Sequence, residues 1–181
     1  ATAAESTKRE EVPVLIEVLI GRNVAPAEGT VIAGSLGKAV PATRVVAGRY
    51  VVEETGYSPW YEASIETDGA VLKDVRLRAP ALHSVSVPTR PSKEQPALVR
   101  WNPSHDSVVD DLQVRVFGWD EKKVTYDDRA SDSGELLLPA TALPSRSSFA
   151  IQVRRAASQV LAVDGSIAIV DVTSTAETVV R

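Results

Sequence analysis

Trp60-Tyr61-Glu62-Ala63-Ser64-Ile65-Glu66-Thr67-Asp68-Gly69-Ala70-Val71-Leu72-Lys73-Asp74-Val75-Arg76-Leu77-Arg78 is the stretch that decides the fold class. Tyr61, Ala63 and Ile65 alternate with Glu62, Ser64 and Glu66, the period of two that gives a strand one apolar and one polar face. Asp68-Gly69 follows, a pair that suits the left-handed backbone of a tight hairpin turn. The return segment sets Val71, Val75 and Leu77 against Asp74, Arg76 and Arg78. The expectation is a half-buried antiparallel hairpin.

Working outward, the same grammar recurs. Val12–Ile20, closed by Gly21, is rich in β-branched residues and reads as a strand buried on both faces, with Pro13 tolerated at its start. Short β-rich pieces follow at 30–34, 38–46 and 49–53, separated by Gly34, Gly37 and Gly48. Downstream, strands are expected at 82–87, 97–101, 111–117, 122–126, 135–138 and 149–154. A second Asp-Gly hairpin is expected at 160–163 and 167–172, then a last strand at 175–180. Only Pro139–Leu143 suggests a helical turn. Many short strands broken by turn residues indicate sandwiches. The fold class expected is all-β, two antiparallel β-sandwich modules in tandem. Their division is a flexible lead at 1–10, a small sandwich at 11–79 and a second sandwich at 80–181, joined where Pro80, Pro88, Pro91 and Pro96 punctuate the chain.

Composition narrows the function. The 181 residues are 44% hydrophobic and 24% charged, enough for a core, with a net charge of −4. Basic residues such as Arg76, Arg100, Arg115 and the Arg154-Arg155 pair are scattered, which argues against a nucleic-acid surface. Without cysteine there is no disulfide, thiolate nucleophile or thiolate metal site. The chain also lacks Met, even at position 1, so it is expected to be processed or trimmed, a removed signal peptide being one reading. Ala1–Thr7 is small and polar, like a mature N-terminus or the site of a lipid tether. No apolar run approaches the length of a transmembrane helix.

Ala97-Leu98-Val99-Arg100-Trp101-Asn102-Pro103, the alternating Leu112–Val116, and 127–139 followed by Phe149–Arg154 together resemble a fibronectin type III or immunoglobulin-like module of exported bacterial lipoproteins. The resemblance covers roughly half the chain. It implies that Trp101 is a core residue and implies no catalysis. Ala25–Val31 with Gly48-Arg49-Tyr50 is similar, more weakly, to transthyretin-like sandwiches.

Candidate sites are few. His83 shares a strand face with Val85 and Val87, and His105 sits in a polar turn beside Ser104 and Asp106. Neither has a nucleophile elbow, so no enzyme is expected. Asp106, Asp110, Asp127 and Asp128 are the acidic-loop residues that could supply oxygen ligands to a structural calcium, although no EF-hand spacing occurs and solvated loops are the blander alternative. Tyr57, Trp60, Tyr61 and Trp119 are the aromatics placed near turns, hence candidates for a binding surface. Gly34–Lys38 lacks the spacing of a phosphate loop. The function expected is a non-enzymatic, exported protein of the periplasm or cell surface, making protein contacts in an envelope assembly through exposed strand edges. A carbohydrate- or calcium-binding module, or an accessory domain of a larger enzyme, is the alternative.

Overall fold

The structure, a computed structural model, describes residues 9–22, 25–87, 95–104, 111–118, 123–144, 148–163 and 165–180. Its first strand sets the pattern. β1 (Pro13–Arg22) turns Val14, Ile16, Val18 and Ile20 inward, all buried, and leaves Leu15, Glu17 and Leu19 half-buried on the other side. Along its length β1 pairs antiparallel with β6 (Arg49–Thr55) on one edge and β15 (Ser166–Val180) on the other.

Those three strands are the middle of an eight-stranded sheet. Its order is β12 (Val124–Arg129), β11 (Asp111–Gly118), β14 (Phe149–Val163), β15, β1, β6 and β5 (Thr43–Val46), with β2 (Ala25–Pro26) paired to the end of β1. Two small sheets pack on its inner face. One is four-stranded, β4 (Val40–Pro41), β3 (Gly29–Ser35), β7 (Trp60–Thr67) and β8 (Ala70–Arg78). The other is three-stranded, β13 (Glu135–Leu138), β10 (Ala97–Trp101) and β9 (Val85–Ser86).

Two cores result. The first gathers Ile16, Val18, Tyr50, Tyr61, Ile65 and Leu77; the second gathers Val99, Trp101, Val114, Leu138, Ile151 and Val153. β15 serves both, giving Val170 and Val172 to the first and Ala176 to the second. The chain is therefore all-β and built of antiparallel sandwiches. A division at 79/80 separates the two small covering sheets, but the large sheet runs across it because β1 pairs with β15.

Local differences from the sequence expectation have physical causes. The 149–154 and 160–163 segments are one 15-residue strand, as are 167–172 and 175–180. No Gly or Pro lies between the paired segments, so nothing interrupts the ladder. In the Trp60–Arg78 hairpin, Asp74 adopts φ 56° beside a register shift. The extra residue flips the alternation, burying Ala70 and leaving Val71 53% exposed while Val75 and Leu77 stay in the core. Segment 38–46 splits at Ala42, β4 pairing in one sheet and β5 in another. Arg9–Glu11, expected at the end of a flexible lead, forms a 3-10 turn anchored by the Tyr57 N–H on the Arg9 carbonyl at 2.8 Å. The helical turn expected near Pro139 is a 3-10 turn at Ala140–Ala142. Among the described residues no helix is long and apolar enough to cross a membrane.

Gly48 closes the β5–β6 turn at φ 70°, and a Cβ there would lie 2.5 Å from the Ile20 carbonyl oxygen. Gly37 has a similar φ of 79° with nothing within 4 Å of an added Cβ. Gly48→Ala is expected to cost about 2–4 kcal/mol and Gly37→Ala about 1 kcal/mol in urea unfolding. Equal costs for the two would show that the Gly48 approach to β1 is not what constrains the turn.

Candidate functional site

A buried group of ionisable side chains lies where the two cores meet. Arg155 points inward from β14 between Val153 and Ala157, and its side chain is only 1% exposed. One Nη donates to Asp132 Oδ1 at 2.8 Å and to the Asn102 carbonyl; the other reaches the Ala81 carbonyl at 3.3 Å. Asp132 also accepts the Trp101 indole N–H at 2.8 Å and the Ser104 backbone N–H at 3.0 Å. Burial alone would raise the Asp132 pKa, but the bonds from Arg155, Ser104 and Trp101 outweigh it and hold the carboxyl below its usual range. His83 lies alongside, with Nε2 donating to the Val153 carbonyl at 2.7 Å.

Burial brings the His83 pKa down to about 4, with the Arg155 charge adding to the effect against the Val153 and Ala81 carbonyls and Asp132. The imidazole is neutral at pH 7 and 4% exposed, a packed residue of the joint. The cluster clamps the chain where it crosses from the four-stranded to the three-stranded sheet. Arg155 was not legible in the sequence as part of this cluster, because it looked like one of several scattered cations. Its inward parity with Ile151 and Val153 was the available signal.

The aromatic candidates separate. Tyr61 is a correction: it is fully buried in the first core, its Oη accepting the Ser58 N–H at 3.0 Å, and burial pushes its phenol up. The alternation that pairs Tyr61 with Ala63 and Ile65 already pointed inward. Trp60, at the start of β7, is 44% exposed. Tyr57 is half-buried and lines an open groove of about 680 Å³ with Arg9, Glu10, Ser35, Leu36, Lys38, Glu54 and Ser58. Trp119 lies outside the described residues.

Among the described residues the acidic candidates are not brought together. Asp127 pairs with Arg115 at 3.1 Å on the outer face of the large sheet. Asp128, opposite the buried Val114, projects to the other side by strand alternation and accepts the Arg129 N–H at 2.8 Å. Two neighbours on opposite faces cannot share one cation. Asp106 and Asp110, with His105, lie outside the described residues. Among the described residues no three His, Asp or Glu side chains group as metal ligands.

The outer face of the large sheet carries a feature that no motif in the sequence marked as a site. Register places Val46, Arg49, Leu19, Ile169 and Val160 in one row across β5, β6, β1, β15 and β14. Gly21, Ile167 and Ala162 form the adjacent row. Val160 is 65%, Val46 57% and Ile167 50% exposed, and no described element covers them. Arg49, which stands between Val46 and Leu19 in this row, leans onto Glu17, its Nε donating at 2.8 Å.

No family model matches the chain, and no curated protein matches it. Among solved structures it is similar to a chain described as the A and B C2-domains of Extended-Synaptotagmin 2, at 8% identity and a TM-score of 0.22, over 100% of this chain and 97% of that one. A likeness of that size carries no argument about function.

The His83 environment predicts a pH dependence. The unfolded chain takes up a proton at His83 near pH 6.5 and the folded chain only near 4. Stability from this group is therefore full above pH 6.5 and falls as pH drops toward 4. Between pH 7 and 4.5 the loss should be roughly 2–3 kcal/mol. Urea unfolding at the two pH values, compared with the non-titrating His83→Gln, should show the variant losing less. An equal loss in both would mean that His83 is not the titrating group.

Proposed function

We propose that this chain is a non-catalytic β-sandwich protein that works through protein contacts in an exported, cell-envelope or surface assembly. The observation that supports it best is the outward-facing row Leu19, Ile169 and Val160, with Ile167 beside it, which no described element covers. An antiparallel sheet with one solvated face ordinarily alternates apolar-in and polar-out, whereas at its Gly21 end β1 is apolar on both sides. A contiguous exposed apolar patch rimmed by polar residues marks a contact surface. The rim here is Glu17, Arg49 and Asp171.

The immunoglobulin-like resemblance supports the same reading. Trp101 on β10 is 5% exposed and packs in the second core, the position that such a module gives its strand tryptophan. Export rests on the resemblance alone. A native coding sequence with no export signal ahead of Ala1 would contradict the envelope part alone.

A photo-crosslinking side chain at position 167, in the native host, tests the contact surface. The expected result is a discrete adduct that disappears when Leu19→Lys is added, with the circular dichroism of the purified variant unchanged. The same probe at Glu66, exposed on the four-stranded sheet, serves as the comparison. Equal labelling from both positions contradicts the proposal.

A further inference from the structure

The groove beside Tyr57 is assembled from three separate segments, 9–10, 35–38 and 54–58, and hydrogen bonds hold them in place. Gly56 N–H donates to the Val12 carbonyl at 2.9 Å and Tyr57 N–H to the Arg9 carbonyl at 2.8 Å. Across the groove, Ser35 N–H donates to Glu54 Oε1 at 2.9 Å and Gly37 N–H to Glu62 Oε1 at 2.9 Å. Leu36 N–H meets the Trp60 carbonyl at 3.1 Å. These bonds preform the walls, so a ligand would spend little of its binding energy on ordering them.

Arg9 is the informative residue. Its Nε donates to the Tyr57 carbonyl at 3.1 Å, and its guanidinium lies 5.6 Å from the centre of the Tyr57 ring. The side chain is thereby aimed, yet neither Nη group has a partner among the described residues. Lys38, on the opposite lip, likewise has no carboxylate partner among them. A guanidinium fixed through Nε with its fork unused is shaped to take a carboxylate by two parallel bonds.

The rest of the lining selects among anions. Glu10 and Glu54 bring the formal charge of the groove to zero against Arg9 and Lys38. That balance disfavours a polyphosphate or nucleic-acid backbone, which needs a net positive surface. It suits one carboxylate carried on a hydroxyl-rich body whose O–H groups can donate to Glu10 and Glu54 and exchange bonds with Ser35 and Ser58. A volume of about 680 Å³ lies within the range of small-molecule sites, and Tyr57 with Leu36 supplies apolar surface for a ring.

We infer that this groove binds a short acidic saccharide, its carboxylate on Arg9 and Lys38 and its rings against Tyr57. The site is independent of the outer-face patch, since it lies at the Pro13 end of β1 and the patch at the Gly21 end. Only the Tyr57 part was foreseeable as a carbohydrate contact; the cations were not.

The test is a titration of the full chain with trigalacturonate, trimannuronate and a hyaluronan tetrasaccharide, followed by ¹H–¹⁵N NMR. The methyl ester of trigalacturonate and inorganic phosphate are run in parallel. The expected result is a saturable shift of Gly56, Tyr57 and Leu36 amides with at least one uronate. The ester and phosphate should bind at least tenfold more weakly. Arg9→Gln should weaken the uronate at least tenfold, and Lys38→Gln, at an exposed turn, should weaken it without affecting the fold. No saturable response to any uronate at 10 mM (roughly a −2.7 kcal/mol ceiling) overturns the inference. So does equal binding of the ester, or binding that both variants retain.

Discussion

The structure depends on one buried charge. Arg155 sits inward on a strand whose other inward positions there are Ile151, Val153 and Ala157, and burying a lone guanidinium would cost several kcal/mol. What makes it tolerable is that Asp132, the Asn102 carbonyl and the Ala81 carbonyl all converge on it. Those three partners come from three separate segments, so satisfying one cation fixes where the linker, the β10 exit and the β12 exit lie against β14. A hydrophobic residue at 155 could fill the space without specifying that convergence. The charge contributes definition of the joint more than net stability.

Around this clamp the rest follows. β14 and β15 are long enough to span both cores, and β1 closes onto β15 to make one sheet of what would otherwise be two. A continuous sheet has a continuous outer face, and that face carries charge-laced pairs over the second core, such as Arg115 with Asp127 and Gln152 with Glu177. Over the first core it carries the apolar rows. The proposed contact surface is therefore a product of the β1–β15 pairing: Leu19 and Ile169, 150 residues apart in sequence, become neighbours only through it.

Strand identity was legible because it is local. Alternation in Trp60–Glu66, in Leu112–Val116 and in Phe149–Val153 corresponds to β7, β11 and β14, and each alternating set is buried on its apolar side. Pairing between distant strands was not legible, since period-two patterns state which face is apolar but not which neighbour will cover it. The apolar outward positions of β1 were read as buried on both faces, which is what such a run means inside a sheet covered twice; here no described element covers the outer face. The Asp74 bulge escaped for a different reason, because a single inserted residue has no compositional mark. Tyr61 was legible as core from its alternation, and only its proximity to Tyr57 and Trp60 made it look like a surface aromatic.

The central claim is that the two cores share one sheet through a clamped joint and so fold as a unit. The direct test is a residue-resolved urea titration by ¹H–¹⁵N NMR. It would follow the Val18 and Val52 amides in the first core against Val99 and Val114 in the second. A single midpoint for all four amides is the result the account predicts. Two separated midpoints, with one core persisting after the other has melted, would contradict it.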